Sequence, residues 1–411
     1  MAELKVDVEP EEVGFDAQRL QRIVSHYRRY VDDGTLPGWT VAVARRGRVA
    51  LVAHHGLADV EAERPVVDDT IWRIYSMTKP ITSVAVLMLY ERGLLELTDP
   101  VSRHIPAFGD LKVYRGGSAT SPGTAPASEP MRIWHLLTHT AGLTYGWHHA
   151  HAVDEIYRAK GFEFGAPRGM DLAAACDAWA GIPLLFEPGA EWNYSVATDV
   201  LGRIVEVVSG QRLDRFLAEQ VFAPLGMDDT AFHVAADELD RLAALYMANP
   251  AGGLLRNSAL GDAATREPTF LSGGGGLVST AADYHRFTQL LARGGELDGV
   301  RLLGPHTVAY MTRNHLPGGV DLERFGRPIS SETTNRGIGF GLGVSVVVDA
   351  AAGKALTHEG EYAWGGLAST AFYVDPAAEV TAMFFTQVLP SPLVAPIRPQ
   401  LRALVNQALT D

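Results

Sequence analysis

A chain of 411 residues, 47% apolar and 20% charged, has the balance of a globular protein and the length for two or three domains, or one with a large insertion. A formal charge of −13 with no opposing basic run argues against nucleic acid or an anionic membrane surface as a partner. Cys176 is the single cysteine, so no intrachain disulfide forms. No apolar run spans a bilayer, and the acidic stretch Met1 to Glu12 lacks a signal-peptide pattern, so the expectation is a soluble cytoplasmic protein.

Asp16 reads as the N-cap of a helix with Leu20, Ile23, Val24, Tyr27 and Val31 on one face, ended by Gly34 and Pro37. Trp39–Ala44 and Val49–His54 follow as strands joined through Arg45-Arg46-Gly47-Arg48, a hairpin. Ile74 to Pro80 then reads as a turn feeding an apolar helix, Ile81 to Tyr90, closed by Gly93. From about Leu97 to Phe270 the pattern is helical pieces separated by loops, with helices expected at Ile133–His139, Asp171–Ala180, Ala197–Ser209 and Leu213–Val221. Gly116 to Pro130, rich in Gly, Ser, Ala, Thr and Pro, reads as a flexible surface excursion. A helix over Ala281–Ala292 precedes three strands, Gly341–Val348, Leu367–Val374 and Glu379–Val388, and a final helix from Val394 to Leu409. The sum is an α+β fold: a five-stranded antiparallel sheet flanked by helices, formed by residues 1–96 and 271–411, plus a mainly helical inserted domain, 97–270, with a cleft between them.

The chemistry centres on Ser76-Met77-Thr78-Lys79. Residues three apart share a helix face, so Lys79 can reach the Ser76 hydroxyl. Ser76 falls at or near an N-cap, where the helix dipole favours negative charge. With 17 serines and five lysines in the chain, chance supplies about 0.2 such pairs. Taken alone, the pattern is equally a capping serine followed by a solvated lysine. Two further stretches complete a constellation. Tyr194, in Glu191-Trp192-Asn193-Tyr194-Ser195, stands on a loop entering a helix; it either points its phenol into the cleft or packs beneath the loop. Trp364-Gly365-Gly366-Leu367 opens the strand ending at Val374, and paired glycines let a ligand approach the backbone, where the Leu367 N–H could face the cleft.

In this order the three stretches resemble the serine β-lactamase-like superfamily, which shares its Ser-x-x-Lys nucleophile motif with penicillin-binding proteins, and most closely the class C β-lactamase-like esterases called family VIII carboxylesterases. Tyr194-Ser195-Val196 stands where class C enzymes carry Tyr-x-Asn, and Trp364-Gly365-Gly366 where they carry Lys-Thr-Gly. His135 through Leu143 and Asn193 through Gly202 are similar too, so the resemblance runs from about Pro37 to Val388. It implies a serine β-lactamase/penicillin-binding-protein-like fold, Ser76 as nucleophile, Tyr194 as general base with Lys79 assisting, and an oxyanion hole from the Ser76 and Leu367 N–H groups. Trp364, with Tyr145 and Trp147, would line an apolar acyl or alcohol pocket. Lysine and tyrosine ordinarily titrate near about 10, so neither is a base at neutral pH unaided; a Lys79 ammonium would favour the Tyr194 phenolate, while a phenolate would hold Lys79 charged. Which one takes the Ser76 proton is not fixed by sequence, and their titrations are coupled.

Val196 replaces the Asn that seats a β-lactam side chain, and the Lys of Lys-Thr-Gly is absent, which weakens a β-lactam as substrate. A rival alignment puts His358-Glu359-Gly360 on the third motif. The expectation is a serine carboxylesterase acting on small, short-chain esters. The alternatives are an acyltransferase, a β-lactamase or D-alanyl peptidase, and a catalytically inactive binding protein. No cofactor and no metal are expected; the partner is a small-molecule ester, with the oligomeric state open. His135 and His139 have a zinc-ligand spacing, but Leu136 stands where a metalloprotease needs Glu; with His148, His149 and His151 nearby a metal site is the lesser reading. Gly343-Val-Ser345-Val-Val347 lacks the second Gly of a nucleophile elbow, and Gly273–Gly276 has no following Gly-Lys-Ser/Thr.

Overall fold

The computed structural model describes residues 4–249, 251–327, 335–390 and 396–411. Asp16 caps the first helical turn, its carboxylate accepting from the Arg19 N–H at 2.8 Å, and helix α1, Arg22–Asp32, turns Ile23, Val24 and Tyr27 inward. Strands β1, Gly38–Arg45, and β2, Arg48–Asp59, are joined by Arg46-Gly47. Both turn residues have positive φ, 52° and 74°, as a two-residue hairpin turn of matching twist requires.

One antiparallel sheet carries the fold. Besides β1 and β2 it contains β3, Arg64–Pro65, β4, Ile338–Phe340, β5, Ser345–Val347, β6, Tyr362–Gly365, β7, Ala371–Asp375, and β8, Val380–Phe385, in the order β4-β5-β6-β7-β8-β1-β2-β3. The sheet thus has eight strands among the described residues rather than five, for local reasons. Gly341–Val348, read as one strand, is the turn and second arm of a hairpin that begins at Ile338; Gly343, at φ 94°, makes that turn. Tyr362–Gly365 is too short to announce itself, and β3 is two residues long. Trp364 and Gly365 close β6 instead of opening the next strand: Gly366–Thr370 is a turn, bonded Gly366 N–H to Thr370 C=O at 2.9 Å, and β7 starts only at Ala371.

The sheet is covered on both faces, so its central strands are buried throughout and do not alternate in polarity. Trp39, Val41, Val43, Ala382 and Phe384 pack with α1 and with α5, Ile397–Asn406. The expected start of that last helix, Val394, lies outside the described residues. Ala42, Met383, Phe385 and Phe372 pack on the other face with helices α2, Thr78–Glu91, α3, Ala197–Ser209, and α4, Ala281–Ala292. Helix α2 is buried continuously from Thr78 to Leu89, which is why its sequence is apolar all round.

Two segments of 97–270 are not helical. The Gly/Ser-rich excursion is a β-hairpin, Lys112–Ser118 with Ser121–Pro126. Tyr246–Ala248 pairs with Leu254–Arg256 and, in parallel, with Val388–Leu389, tying this stretch to the sheet side of the molecule. No helix among the described residues is long and apolar enough to cross a membrane.

Candidate active site

Ser76 sits in a single 3-10 turn, Tyr75–Met77, immediately before α2, whose N-cap is Met77. It therefore lies one residue outside the cap position. Tyr75, next to it, has φ 43°, an uncommon conformation for a residue with a Cβ. Lys79 follows in the first turn of α2 and is 1% exposed. A buried ammonium needs a full set of acceptors. Here Nζ donates to the Gly274 carbonyl at 2.6 Å, to Tyr145 Oη at 3.0 Å and to Ser76 Oγ at 3.3 Å, and it lies 4.5 Å from the centre of the Tyr194 ring. Tyr194 Oη stands 2.6 Å from Ser76 Oγ. The serine, lysine and tyrosine singled out in sequence thus meet at one hydroxyl.

The Tyr194 loop is pinned from several sides. Trp192 N–H donates to Phe325 C=O and Asn193 N–H to His139 C=O, each at 2.9 Å, and Asn193 Nδ2 donates to Leu143 C=O at 3.0 Å. His139 Nδ1 and Ser195 Oγ lie 3.2 Å apart, and the His139 ring packs 5.0 Å from that of Tyr194. Burial, with the Lys79 and His148 charges adding to it, holds the His139 imidazole well below its ordinary pKa, so it is neutral. The His135–Leu143 stretch is accordingly a support for the tyrosine. The histidines of this region face separate partners: His135 Nδ1 accepts from Arg132 N–H at 3.0 Å, and His148, beyond the stretch, has Nδ1 3.3 Å from Thr144 Oγ1. Among the described residues no three His, Cys, Asp or Glu side chains are grouped to hold a metal.

Sequence reasoning missed the floor of the site. The Gly273–Gly276 run packs so tightly that a Cβ on Gly273 would meet Thr198 O at 2.8 Å and one on Gly274 would meet Asp199 Oδ2 at 2.8 Å. Asp199, in the first turn of α3, accepts from Ser272 Oγ at 2.6 Å and from Gly274 N–H at 3.0 Å, both on Oδ1. Its full burial raises its pKa, opposed by Lys79 and by these two hydrogen bonds. Asp199 thereby fixes Gly274, whose carbonyl fixes Lys79. The only local signal was four successive glycines, which mark close backbone approach without saying to what.

On the far side of Ser76, the turn after β6 lies against the serine segment: a Cβ on Gly366 would come within 2.5 Å of Ile74 O. The Ser76 and Leu367 N–H groups make no hydrogen bond to protein among the described residues. Trp364 packs 5.4 Å from the Tyr194 ring and 5.4 Å from Phe340. Trp147 stacks on Tyr145 at 5.2 Å, and both rings line the cleft. Tyr145, expected only as a wall, touches Lys79 directly. His358 and Gly360 stand elsewhere: His358 Nδ1 pairs with Asp375 at 2.6 Å, at the opposite end of β7 from Ala371, about 13 Å along the strand. The cleft system that opens on Ser76 has a volume of about 1070 Å³, and Phe162, Trp179, Phe232, Leu260 and Phe270 are among its apolar walls.

A serine and lysine at the head of a buried helix, a tyrosine from a separate loop and a glycine-rich turn at the end of a strand, beside an antiparallel sheet, define the serine β-lactamase-like class and its penicillin-binding-protein-like fold. The Beta-lactamase family model matches residues 23–407, and the chain belongs to that family. An uncharacterized protein of Mycobacterium tuberculosis is 36% identical over 367 residues, 88% of each chain. Esterase EstB of Burkholderia gladioli is 33% identical over 417 residues, 97% of this chain and 98% of that one. The solved structure of EstCE1, a hydrolase with promiscuous acyltransferase activity, superposes with a TM-score of 0.80 at 29% identity, covering 95% of this chain and 99% of the other.

Proposed function

We propose that the chain is a serine carboxylesterase that hydrolyses small esters through an acyl-enzyme on Ser76. The observation that carries this reading is the convergence of Tyr194 Oη and Lys79 Nζ on Ser76 Oγ, at 2.6 and 3.3 Å. Tyr194 Oη is the nearer of the two groups to Ser76 Oγ, and in this reading it is the base, with Lys79 assisting. Ser76 Oγ attacks the ester carbonyl carbon as its proton passes to Tyr194. The tetrahedral oxyanion is held by the Ser76 and Leu367 N–H groups, each worth about 3–4 kcal/mol in comparable sites. Collapse expels the alcohol, which takes the proton from Tyr194. Water then attacks the acyl carbon, gives a proton to Tyr194, and the proton returns to Ser76 Oγ as the acid leaves.

Trp364, where a β-lactamase carries lysine, and Val196, where it carries asparagine, favour an uncharged ester over a carboxylate-bearing β-lactam. Esterase EstB, similar over nearly the full chain, supports the same choice. The reading places the chemistry between a sheet lobe, 1–96 and 271–411, and an inserted lobe, 97–270, with Trp364 and Trp147 flanking the substrate. A cytoplasmic location goes with it, supported by the free, buried Cys176. Transfer of the acyl group to an alcohol instead of water uses the same intermediate, and the promiscuous acyltransfer of EstCE1 favours it as the second reading.

Ser76→Ala should abolish turnover of a short-chain p-nitrophenyl ester, and a phosphonate should label the Ser76 peptide of the wild-type protein. Near-wild-type turnover in the variant, or labelling elsewhere, overturns the assignment. An added acceptor alcohol that diverts the product from acid to new ester selects the second reading.

A further inference from the structure

Lys79 has one side-chain hydrogen-bond partner that no motif marks. Tyr145 Oη, on a loop between the His135 stretch and a short turn at Gly146–His148, lies 3.0 Å from Nζ. The other two acceptors, Gly274 C=O and Ser76 Oγ, leave one N–H of a buried ammonium to satisfy, and Tyr145 satisfies it. We propose that Tyr145 is a positioning residue for the Ser76 chemistry, its phenol oxygen holding the Lys79 ammonium against the face of Tyr194. This rests on the roles assigned above to Ser76, Lys79 and Tyr194.

The hydroxyl is placed by packing on three sides. The Tyr145 ring stacks on Trp147 with 24° between planes, meets Tyr194 edge-on at 5.3 Å, and meets His148 edge-on at 5.9 Å. The next carbonyl, Gly146 O, accepts from Arg158 at 2.6 Å, which fixes the loop. Burial, with Tyr194 and Asp199 adding to it, raises the Tyr145 pKa far above the ordinary phenol range, so the oxygen is a neutral acceptor throughout the cycle. The groups facing Lys79 are Ser76 on its own segment, Tyr145 and Tyr194 from two loops, the Gly274 carbonyl, the Asp199 carboxyl of α3, which acts through charge, and the neutral His139.

Without the Tyr145 oxygen one N–H of the ammonium is buried and unpaired, which disfavours the charged form. The positive charge opposite Tyr194 is then less favoured, and proton transfer from Ser76 suffers with it. A wall residue would act differently: its loss would weaken substrate binding and leave the proton chemistry alone.

The test compares Tyr145→Phe with the wild-type full chain on a p-nitrophenyl ester from about pH 6 to about pH 10, with thermal melts to confirm folding. The expected result is a kcat about 10–100-fold lower, KM within about twofold, and an alkaline limb of kcat/KM moved about one pH unit down. Trp147→Leu should do the reverse, raising KM with the limb unmoved. Replacement of Tyr145 by 3-fluorotyrosine, which weakens the acceptor but keeps the ring and hydroxyl, should give an intermediate kcat, and reads the effect if the phenylalanine variant does not fold. Unchanged kcat and pH profile in Y145F, or a change confined to KM, overturns the proposal. Failure of a phosphonate to label Ser76 in the wild-type protein instead overturns the parent assignment and is scored separately.

Discussion

Replacing Asp199 by alanine removes the acceptor of two hydrogen bonds inside the protein, from the Ser272 hydroxyl and the Gly274 N–H. Each buried donor left without a partner costs about 1–3 kcal/mol, so D199A should lose about 2–6 kcal/mol of stability. Its effect on turnover follows from the next link. Gly274 C=O is the shortest contact of Lys79, at 2.6 Å, and a displacement of about 1 Å in a catalytic arrangement costs about 100-fold; kcat should fall by about 10–100-fold. Asp199→Asn separates hydrogen bonding from charge. Both donors sit on Oδ1, so the amide oxygen can accept both, and stability should stay within about 1 kcal/mol of wild type. The loss of negative charge near Lys79 then reads out alone, in the pH–rate profile. Denaturant midpoints and kcat/KM on one ester for both variants suffice. A D199A protein with wild-type midpoint and turnover would refute the reasoning, because the glycine floor would then be held by the close packing of Gly273 on Thr198 and not by the carboxylate.

Trp364→Ala removes the ring that covers Tyr194 and Phe340; KM for an aryl ester should rise severalfold with kcat less affected, and steady-state kinetics showing the opposite split would put the ring in the chemistry. His135 is held by burial, with Arg132 adding to it, at a pKa of about 4, below its ordinary 6.5. Its contribution to stability is present above about 6.5 and is lost as pH falls toward 4, since the unfolded state takes up the proton first. Protonation also takes Nδ1 away from the Arg132 N–H. His135→Gln, which can still accept that bond, should therefore show a smaller drop in melting temperature between pH 7 and pH 4.5, at about these values; equal drops in both proteins would count against it.

The parts of the site legible in sequence are those whose chemistry is local. Ser76 and Lys79 are three residues apart on one helix start, so helical geometry alone brings them together. Tyr194 was legible through the resemblance, in which Tyr194-Ser195-Val196 stands where class C enzymes carry Tyr-x-Asn; the residues alone left its phenol either in the cleft or beneath the loop. Asp199 was not, and Tyr145 was named only as a pocket wall, since an aspartate in a first helical turn and a tyrosine in a Gly/Trp/His loop are ordinary there. Their roles arise from contacts with Gly274 and Lys79 that are distant in sequence. The strand count failed in the same way: β6, four residues between glycines, becomes a strand only because β5 and β7 flank it.

What the sequence determined by itself was the nucleophile motif and its order relative to Tyr194 and Trp364-Gly365-Gly366, together with the apolar helix that buries Lys79. These follow from backbone periodicity, which acts over a few residues. Only the tertiary structure decided which phenol meets the serine hydroxyl and what holds the lysine. The Tyr194 hydroxyl on Ser76, and the Tyr145 oxygen and Gly274 carbonyl on Lys79, come from places far apart along the chain and meet only in the fold.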